Sequence, residues 1–340
     1  PRGTTEGAVD RVAAVRGAGA ISRWQKRTKG AVRRQSVTDN RKRERGTMEQ
    51  PCPLSLSEEQ LIEYTPEWNG ERFEGGRPKV ADGILERMRR VTVTAAWGVL
   101  RGHGYEWQYE GNWVCTHPGQ VLVGRALTAM YMPRRPVVRK GMEEKGERSG
   151  CIGDQISWPI DRLVQGDVYV ADVYGKISLG PVIGDNLATA IYANSGNGVV
   201  HDAAVRDIDG IREISGFTSF VRGFDPSYAS PTIMLLGVNC PVRIGGATAM
   251  PGDVVLGRDD GVIFIPAHLA EQVVKTCELV ALRDQFGQQR LREGKYTPGQ
   301  IDGRWTDDIE KDFSIWLEDH MDELSVPKEA IEELLKERTW

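Results

Sequence analysis

The sequence predicts an α/β protein, and two observations carry that prediction. From residue 121 onward, short apolar segments bounded by glycine and other turn residues alternate with helical segments, which is the pattern of an α/β core. The 340 residues are 40% hydrophobic and 27% charged, a balance typical of soluble globular proteins with a large buried core. The longest apolar runs fall far short of the ~18 residues of a membrane-spanning helix, so we expect no membrane partner.

The individual elements are predicted from turn signals and from apolar periodicity. The strand predictions cover residues 121–128, 167–173, 198–203, 217–222, 241–244, 253–256 and 261–266. The helix predictions cover residues 57–62, 82–88, 186–194, 208–214, 268–292, 309–324 and 328–338. Together they indicate N-terminal helices, an α/β core and a C-terminal helical extension.

Composition divides the chain into a basic extension over residues 1–47, N-terminal helices and an aromatic loop over 48–120, a catalytic α/β core over 121–292 and an acidic helical tail over 293–340. Residues 1–47 carry 13 Lys and Arg against 4 Asp and Glu, without apolar periodicity. We expect this extension to be disordered. It is interpreted as sequence upstream of a start at Met48, as a targeting peptide or as an arm that binds polyanions.

The charge balance argues against a nucleic-acid partner. The formal net charge is −4, and the residues after position 47 hold 31 Lys and Arg against 44 Asp and Glu. Such a body lacks the clustered cations that phosphate binding needs. The five cysteines are scattered and odd in number, which favours a reducing compartment, so we expect a cytoplasmic protein.

Two segments near the start of the core are predicted to be loops. Residues 101–120 hold aromatic and histidine side chains among four glycines. We expect this loop to pack on a neighbouring domain or subunit, or alternatively to form a wall of a substrate pocket. The basic cluster at Arg134, Arg135, Arg139 and Lys140 is interpreted as a solvated loop, with binding of an anionic substrate as the alternative.

The first chemical motif, Gly184-Asp185-Asn186-Leu187, lies where a loop enters a predicted helix. Gly184 lets the backbone approach a ligand closely. The free N–H groups of a first helical turn, at the positive end of the helix dipole, bind a carboxylate or a phosphate. The alternative interpretation is that Asp185 is only a helix N-cap.

The second motif, Arg206-Asp207, follows a predicted buried strand, a common position for active-site groups in α/β folds. Arginine offers a bidentate fork to a carboxylate or an enolate. Aspartate is a hard oxygen ligand suited to Mg²⁺ or Mn²⁺. The alternative is a surface salt network at a helix start. His201 is interpreted as a strand-end residue near this site, with pocket lining or proton shuttling as alternatives.

Taken together, the two motifs resemble those of the class II pyruvate aldolases in the 4-hydroxy-4-methyl-2-oxoglutarate aldolase family, which is shared with the regulator of RNase E activity A proteins. Asp185 and Arg206 are separated by 20 residues, and Asp207 follows at once. The resemblance covers roughly residues 80–275 and implies a layered α/β/α-type core.

The resemblance also implies a role for each residue. Asp207 would hold a divalent metal, Mg²⁺ or Mn²⁺, largely through a water-rich shell. Arg206 would contact the 2-oxo acid end of the substrate and stabilise the enolate formed on C–C cleavage. The backbone N–H groups of Asn186 and Leu187 would hold the pyruvate carboxylate. Asp185 would position or deprotonate a metal-bound water that relays a proton.

The implied function is that of a divalent-metal-dependent carbon–carbon lyase, an aldolase or decarboxylase, acting on a 4-hydroxy-2-oxo acid or an oxaloacetate-like substrate through a pyruvate-type enolate. The implied assembly is a homotrimer or a homohexamer with active sites near subunit interfaces. The alternatives are a non-catalytic regulatory binding protein of the RNase E inhibitor type and a metal-dependent sugar-acid dehydratase or decarboxylase. Residues 101–120, 133–160 and 293–340 have no counterpart in the compact family core, which leaves the substrate open.

Overall fold

The computed structural model describes residues 54–322 together with Leu324, Val326, Ile331 and Glu332. The helices in chain order are α1 (Glu58–Tyr64), α2 (Asp82–Met88), α3 (Val93–Gly102), α4 (Pro136–Arg148), α5 (Asp185–Ser195), α6 (Ile208–Arg212), α7 (Ala270–Arg292), α8 (Pro298–Ile301) and α9 (Asp307–His320). The strands are β1 (Tyr109–Glu110), β2 (Val114–Cys115), β3 (Leu122–Pro133), β4 (Asp167–Lys176), β5 (Val199–Val205), β6 (Ser219–Phe224), β7 (Ile233–Val238), β8 (Val242–Ile244), β9 (Ala247–Ala249), β10 (Val254–Arg258) and β11 (Gly261–Ile265). The predictions for residues 1–47 and for most of 328–338 lie outside the described residues.

Within residues 54–322, nine strands form one mixed sheet in the order β1-β11-β10-β3-β4-β5-β6-β2, with β7 paired to β3. The pairs β3–β4, β4–β5 and β5–β6 are parallel, and β10 and β7 run antiparallel to β3. Because β3 to β6 are parallel, their carboxyl ends meet at one edge of the sheet, where loops commonly form ligand sites.

Helices cover one face of this sheet. Helix α5 buries Ala188 and Ile191 against β4 and β5, and α2, α3 and α7 pack over β10 and β11. The other face buries Phe220 under the separate β8–β9 hairpin, which contributes Ile244 and Ala247. The α/β prediction is confirmed, and in the described residues the hairpin is the layer that covers the second face.

The C-terminal helices have an aromatic core of their own. The second half of α7 contributes Phe286, which packs with Trp305, Phe313 and Trp316. The ring centroids of Phe286 and Phe313 are 5.2 Å apart, and the Arg283 guanidinium lies 3.7 Å from the ring centroid of Trp305. The acidic helix α9 therefore packs against the second half of α7 through a buried row of apolar side chains on one of its faces.

One loop prediction was wrong, and a second missed two short strands. The segment at 136–148 is helix α4, in which the buried Arg139 donates hydrogen bonds of 2.7 Å to Glu143 and to Asp154. The segment at 101–120 contains the short strands β1 and β2, which pair with β11 and β6. The partners of β1 and β2 lie more than 100 residues away along the chain, and Arg139 also donates a 3.0 Å hydrogen bond to the distant Ile233 carbonyl. Local periodicity carries no signal of such contacts.

No helix among the described residues is both long and apolar enough to cross a membrane.

Candidate active site

The candidate site lies at the carboxyl end of the central strand β5. This strand is buried along its whole length, and Arg206 and Asp207 follow its last residue, Val205. The Arg206 N–H donates a 3.1 Å hydrogen bond to the Ile183 carbonyl. That bond fixes the end of β5 beside the loop that enters α5, so the topology brings the two sequence motifs together.

Gly184 is the point at which the motifs touch. It is buried and directly precedes α5. A Cβ atom on this residue would clash with Oδ2 of Asp207 and would lie 3.2 Å from Nε of Arg206. Its φ of −119° is open to any residue, so it is the space beside Asp207, and not the backbone conformation, that requires glycine here.

Asp207 adopts an unusual backbone conformation. Its φ of 55° and ψ of 44° lie in the left-handed region, which costs a non-glycine residue about 1–2 kcal/mol. Its Oδ2 atom lies 3.0 Å from Nη1 of Arg206, and the two side chains are 38% and 40% exposed. Strain of this kind concentrates at functional sites, and here it turns a carboxylate and a guanidinium toward the same solvent-accessible edge.

Asp185 opens α5 and lies between the two helices that flank the site. Its Oδ1 atom accepts a 2.7 Å hydrogen bond from the Asn186 N–H. A Cβ atom on Gly210 of α6 would lie 2.9 Å from its Oδ2 atom. Asn186 is exposed, and Leu187 is half-buried against the core. The Asn186 N–H is therefore committed to Asp185 in this state, and a substrate carboxylate has to displace that bond to reach it.

The donor set fits a lightly held Mg²⁺ or Mn²⁺. Among the described residues, no group of three or more His, Cys, Asp or Glu side chains is arranged to hold a metal ion. Mg²⁺ commonly binds through one or two carboxylates and completes its shell with water and substrate oxygens. Asp207, partly exposed and set in a space that only glycine leaves open, suits that mode of binding.

His201 does not take part in this site. It is fully buried within β5, where it is paired with Ala171 and Val221. Burial lowers the pKa of its ring to about 3, an effect partly opposed by the backbone at Ala204. The interpretation of His201 as a strand-end residue was wrong, because β5 runs on to Val205.

An exposed apolar rim on the same edge of the sheet escaped the sequence analysis. Ile177 and Leu179 follow β4, and Phe224 and Tyr228 lie at and beyond the end of β6. All four are at least 43% exposed. The only signal in the sequence is that these apolar residues lie just past the strand ends, where polar loop residues are more common.

The fold defines an α/β protein with a candidate ligand site at the carboxyl ends of its parallel strands. The RraA-like family model, described as Aldolase/RraA, matches residues 96–264. This segment of the chain is RraA-like, and it contains both motifs.

Two curated relatives match over parts of the chain. Protein DlpA of Legionella pneumophila is 28% identical over 167 residues, which is 49% of this chain and 25% of DlpA. A protein of Halalkalibacterium halodurans, provisionally named a 4-hydroxy-4-methyl-2-oxoglutarate aldolase, is 29% identical over 128 residues, which is 38% of this chain and 60% of that protein. The chain thus spans a quarter of one relative and three-fifths of the other.

Solved structures share the fold. Streptomyces coelicolor RraAS2, described as an unusual member of the RNase ES inhibitor RraA protein family, superposes with a TM-score of 0.52 and 24% identity, over 64% of this chain and all of that one. An uncharacterized protein from Pseudomonas syringae gives a TM-score of 0.54 and 23% identity, over 66% of this chain and all of that one. At this level of identity the likeness concerns the fold alone.

Proposed function

We propose that the protein is a divalent-metal-dependent lyase, an aldolase or decarboxylase, that cleaves a 4-hydroxy-2-oxo acid or an oxaloacetate-like substrate through a pyruvate-type enolate. The observation that carries the proposal is the contact of Arg206 and Asp207 with Gly184 at the amino end of α5. This arrangement sets a cation, a carboxylate and a helix N-terminus around one edge of the sheet.

The amino end of α5 binds the substrate carboxylate in this proposal. The first N–H groups of a helix have no partner within the helix, and the helix dipole favours an anion there. The N–H groups of Asn186 and Leu187 lie in this turn. The substrate carboxylate replaces Oδ1 of Asp185 on the Asn186 N–H, and this exchange releases the Asp185 side chain.

Arg206 stabilises the developing enolate. Breaking the C3–C4 bond of a 4-hydroxy-2-oxo acid, or losing CO₂ from oxaloacetate, leaves negative charge on the 2-oxo oxygen. A preorganised guanidinium beside that oxygen lowers the barrier. The Asp207 carboxylate, 3.0 Å from Nη1, holds the guanidinium in position. A bound Mg²⁺ or Mn²⁺ with Asp207 as its protein ligand would supply Lewis acidity at the same oxygen.

Asp185 moves the proton. Aldol cleavage removes the proton of the 4-hydroxyl group, and the enolate then takes up a proton at C3. Once released from the Asn186 N–H, the Asp185 carboxylate accepts the hydroxyl proton directly or through a water molecule and then returns it to C3. Its position between α5 and α6, against Gly210, limits where it can turn.

We also propose that the active unit is a homotrimer or a homohexamer. The support is the apolar rim of Ile177, Leu179, Phe224 and Tyr228 beside the site, because clustered exposed apolar side chains are typical of association surfaces. Sedimentation analysis of the parent and of Tyr228→Ser tests this. A parent that sediments as a monomer contradicts it.

Pyruvate release from oxaloacetate and from 4-hydroxy-4-methyl-2-oxoglutarate tests the lyase proposal. The assay is run with Mg²⁺ or Mn²⁺, with a chelator and with Asp207→Ala. Asp209→Ala, two residues further along in α6, is the matched control. Binding of Mn²⁺ is followed separately by electron paramagnetic resonance. The expected result is metal-dependent release that Asp207→Ala loses and Asp209→Ala keeps.

The other outcomes separate the alternatives. Mn²⁺ binding that depends on Asp207 without release from either compound favours a sugar-acid dehydratase or decarboxylase using the same site. Neither release nor Mn²⁺ binding favours a regulatory binding protein, the second kind of function in a family described as Aldolase/RraA.

A further inference from the structure

A cavity lies at the opposite end of the sheet from the candidate active site. It encloses about 140 Å³ between the loop that follows α1, Tyr105 after α3, and the ends of β10 and β11. The loop precedes the family match at residues 96–264, so part of the cavity is built from sequence outside the family segment.

The register of the strands separates the two sites. Asp253 lines the cavity and directly precedes Val254, which pairs with Arg125 near the start of β3. Arg125 in turn pairs with Asp167 at the start of β4. The cavity is therefore level with the amino ends of the parallel strands, whereas Arg206 follows the carboxyl end of β5.

Asp253 differs from the other buried aspartates of the sheet. Asp167 pairs with Arg77 at 2.8 Å, and Asp202 pairs with Arg222 at 2.6 Å. Asp253 is 3% exposed, and its Oδ2 atom accepts the Met250 N–H at 2.8 Å. No Lys, Arg or His of the described residues forms an ion pair with it. A buried carboxylate is stable when a cation accompanies it, and the described part of the chain supplies none.

A second carboxylate lies on the loop side of the cavity. Oε2 of Glu67 is 3.2 Å from the Tyr105 hydroxyl and 3.2 Å from Nε2 of His268. The Tyr105 hydroxyl is also 3.3 Å from Nε2 of His268. These three side chains line the cavity and tie the loop to the end of β11.

Three aromatic side chains line the cavity, beside aliphatic and neutral polar residues. Tyr64, Trp68 and Tyr105 line the cavity, and no Lys or Arg among the described residues does so. Aromatic faces attract organic cations through their negative quadrupoles, and cages of this kind recognise ammonium groups. The described residues form no group of three His, Cys, Asp or Glu side chains suited to a metal ion, so the chemistry favours an organic cation.

We propose that this cavity binds a small organic ammonium ion, with its charge toward Asp253 and its carbon atoms against Tyr64, Trp68 and Tyr105. Glu67 lies on the path by which the cation enters and adds attraction at longer range. The volume corresponds to roughly four to five water molecules, which suits a compact ligand. The proposal is independent of the lyase proposal, because the residues of the two sites do not overlap.

Calorimetric titration of the full-length protein with choline at pH 8 tests this proposal. The neutral isostere 3,3-dimethylbutan-1-ol has the same shape without the charge and serves as the ligand control. Asp253→Asn removes the buried charge and keeps the shape. Glu67→Gln removes the exposed charge, and Glu63→Gln, on exposed α1 nearby, is its matched control.

The expected result is saturable binding of choline and none of the isostere. Asp253→Asn is expected to weaken choline binding at least tenfold and Glu67→Gln by two- to fivefold, with Glu63→Gln unchanged. Glu67 is 62% exposed, so its variant keeps the test informative if Asp253→Asn does not fold. Absence of choline binding overturns the proposal, as does equal binding of the isostere. Parent-like affinity in a folded Asp253→Asn variant, or in Glu67→Gln if Asp253→Asn fails to fold, overturns it too.

Discussion

The carboxylate of Asp207 occupies the space into which any residue other than glycine at position 184 would project its Cβ atom. The two residues are 23 positions apart in sequence, yet they determine together whether the site can form. The clash involves the end of a side chain that is 38% exposed, so the side chain can move away at small cost to the fold.

Gly184→Ala is therefore expected to reduce activity far more than stability. The added methyl group displaces Asp207 from Arg206, and we expect kcat for pyruvate release to fall at least tenfold while the melting temperature changes by only a few degrees. Gly141→Ala is the control, because a Cβ atom there meets nothing within 4 Å. Parent-like kcat in Gly184→Ala would show that the position of Asp207 is irrelevant to the reaction.

Two substitutions at Asp207 separate the energetic cost of its backbone conformation from the role of its carboxylate in the reaction. Glycine adopts the left-handed conformation freely, whereas alanine keeps its cost. We expect Asp207→Gly to be about 1 kcal/mol more stable than Asp207→Ala and both variants to lose most activity. Urea denaturation measures the stability difference. Equal stability of the two variants would mean that the left-handed conformation at 207 carries no strain.

Arg206 is expected to act through its forked guanidinium and not only through its charge. Arg206→Lys keeps the charge but loses bidentate geometry, so kcat/KM should fall at least tenfold, and Arg206→Ala should lower it further. The side chain is 40% exposed, so both variants should fold. Arg212→Ala, at the opposite end of α6, is the control. A fully active lysine variant would reduce the role of Arg206 to electrostatics alone.

Titration of the Asp253 carboxyl is expected to lower the free energy of unfolding as the pH rises. Burial raises the pKa of its carboxyl to about 7, against about 3.9 in an unfolded chain. Between these values the folded state holds a proton that the unfolded state has lost, so this group makes the protein less stable as the pH rises from about 4 to about 7, with no further change above.

Asp253→Asn removes that titration. The unfolding free energy of the variant relative to the parent should therefore be higher at pH 8 than at pH 5, by a few kcal/mol at most, as measured by urea denaturation at both values. His201, whose pKa burial lowers to about 3, makes both proteins more stable as the pH rises from about 3 to 6.5, and this contribution cancels in the comparison. The same difference at both pH values would contradict the prediction.

Helices and strands whose ends are marked by local residues, such as a glycine, were predictable from the sequence. Helix α5 was placed within one residue at each end, because Gly184 precedes it and Gly196, with φ of 65°, ends it. The pairing of the two site motifs followed from a resemblance, and the topology of β5 and α5 explains it physically. That Arg206 and Asp207 perform catalysis stays a prediction.

Features that depend on distant partners were not predictable. Strand β1 is defined by its pairing with β11, where Tyr109 lies opposite Ile263. Arg139 was predicted to be solvated, yet it is buried and donates a 3.0 Å hydrogen bond to the Ile233 carbonyl, 94 residues away. The cavity lined by Glu67 and His268 joins positions about 200 residues apart, and no local pattern marks such a meeting.

Helix α7 runs unbroken for 23 residues, about 35 Å. Its first half lies in the core above the sheet with Val273 and Val274, and its second half lies in the aromatic cluster with Leu282 and Phe286. The helix is continuous through both cores, with no break between them. We therefore expect the C-terminal helices to move together with the sheet. Because the two cores share one helix, thermal loss of the aromatic packing also weakens the packing of α7 on the sheet. Both cores are expected to melt in a single cooperative transition.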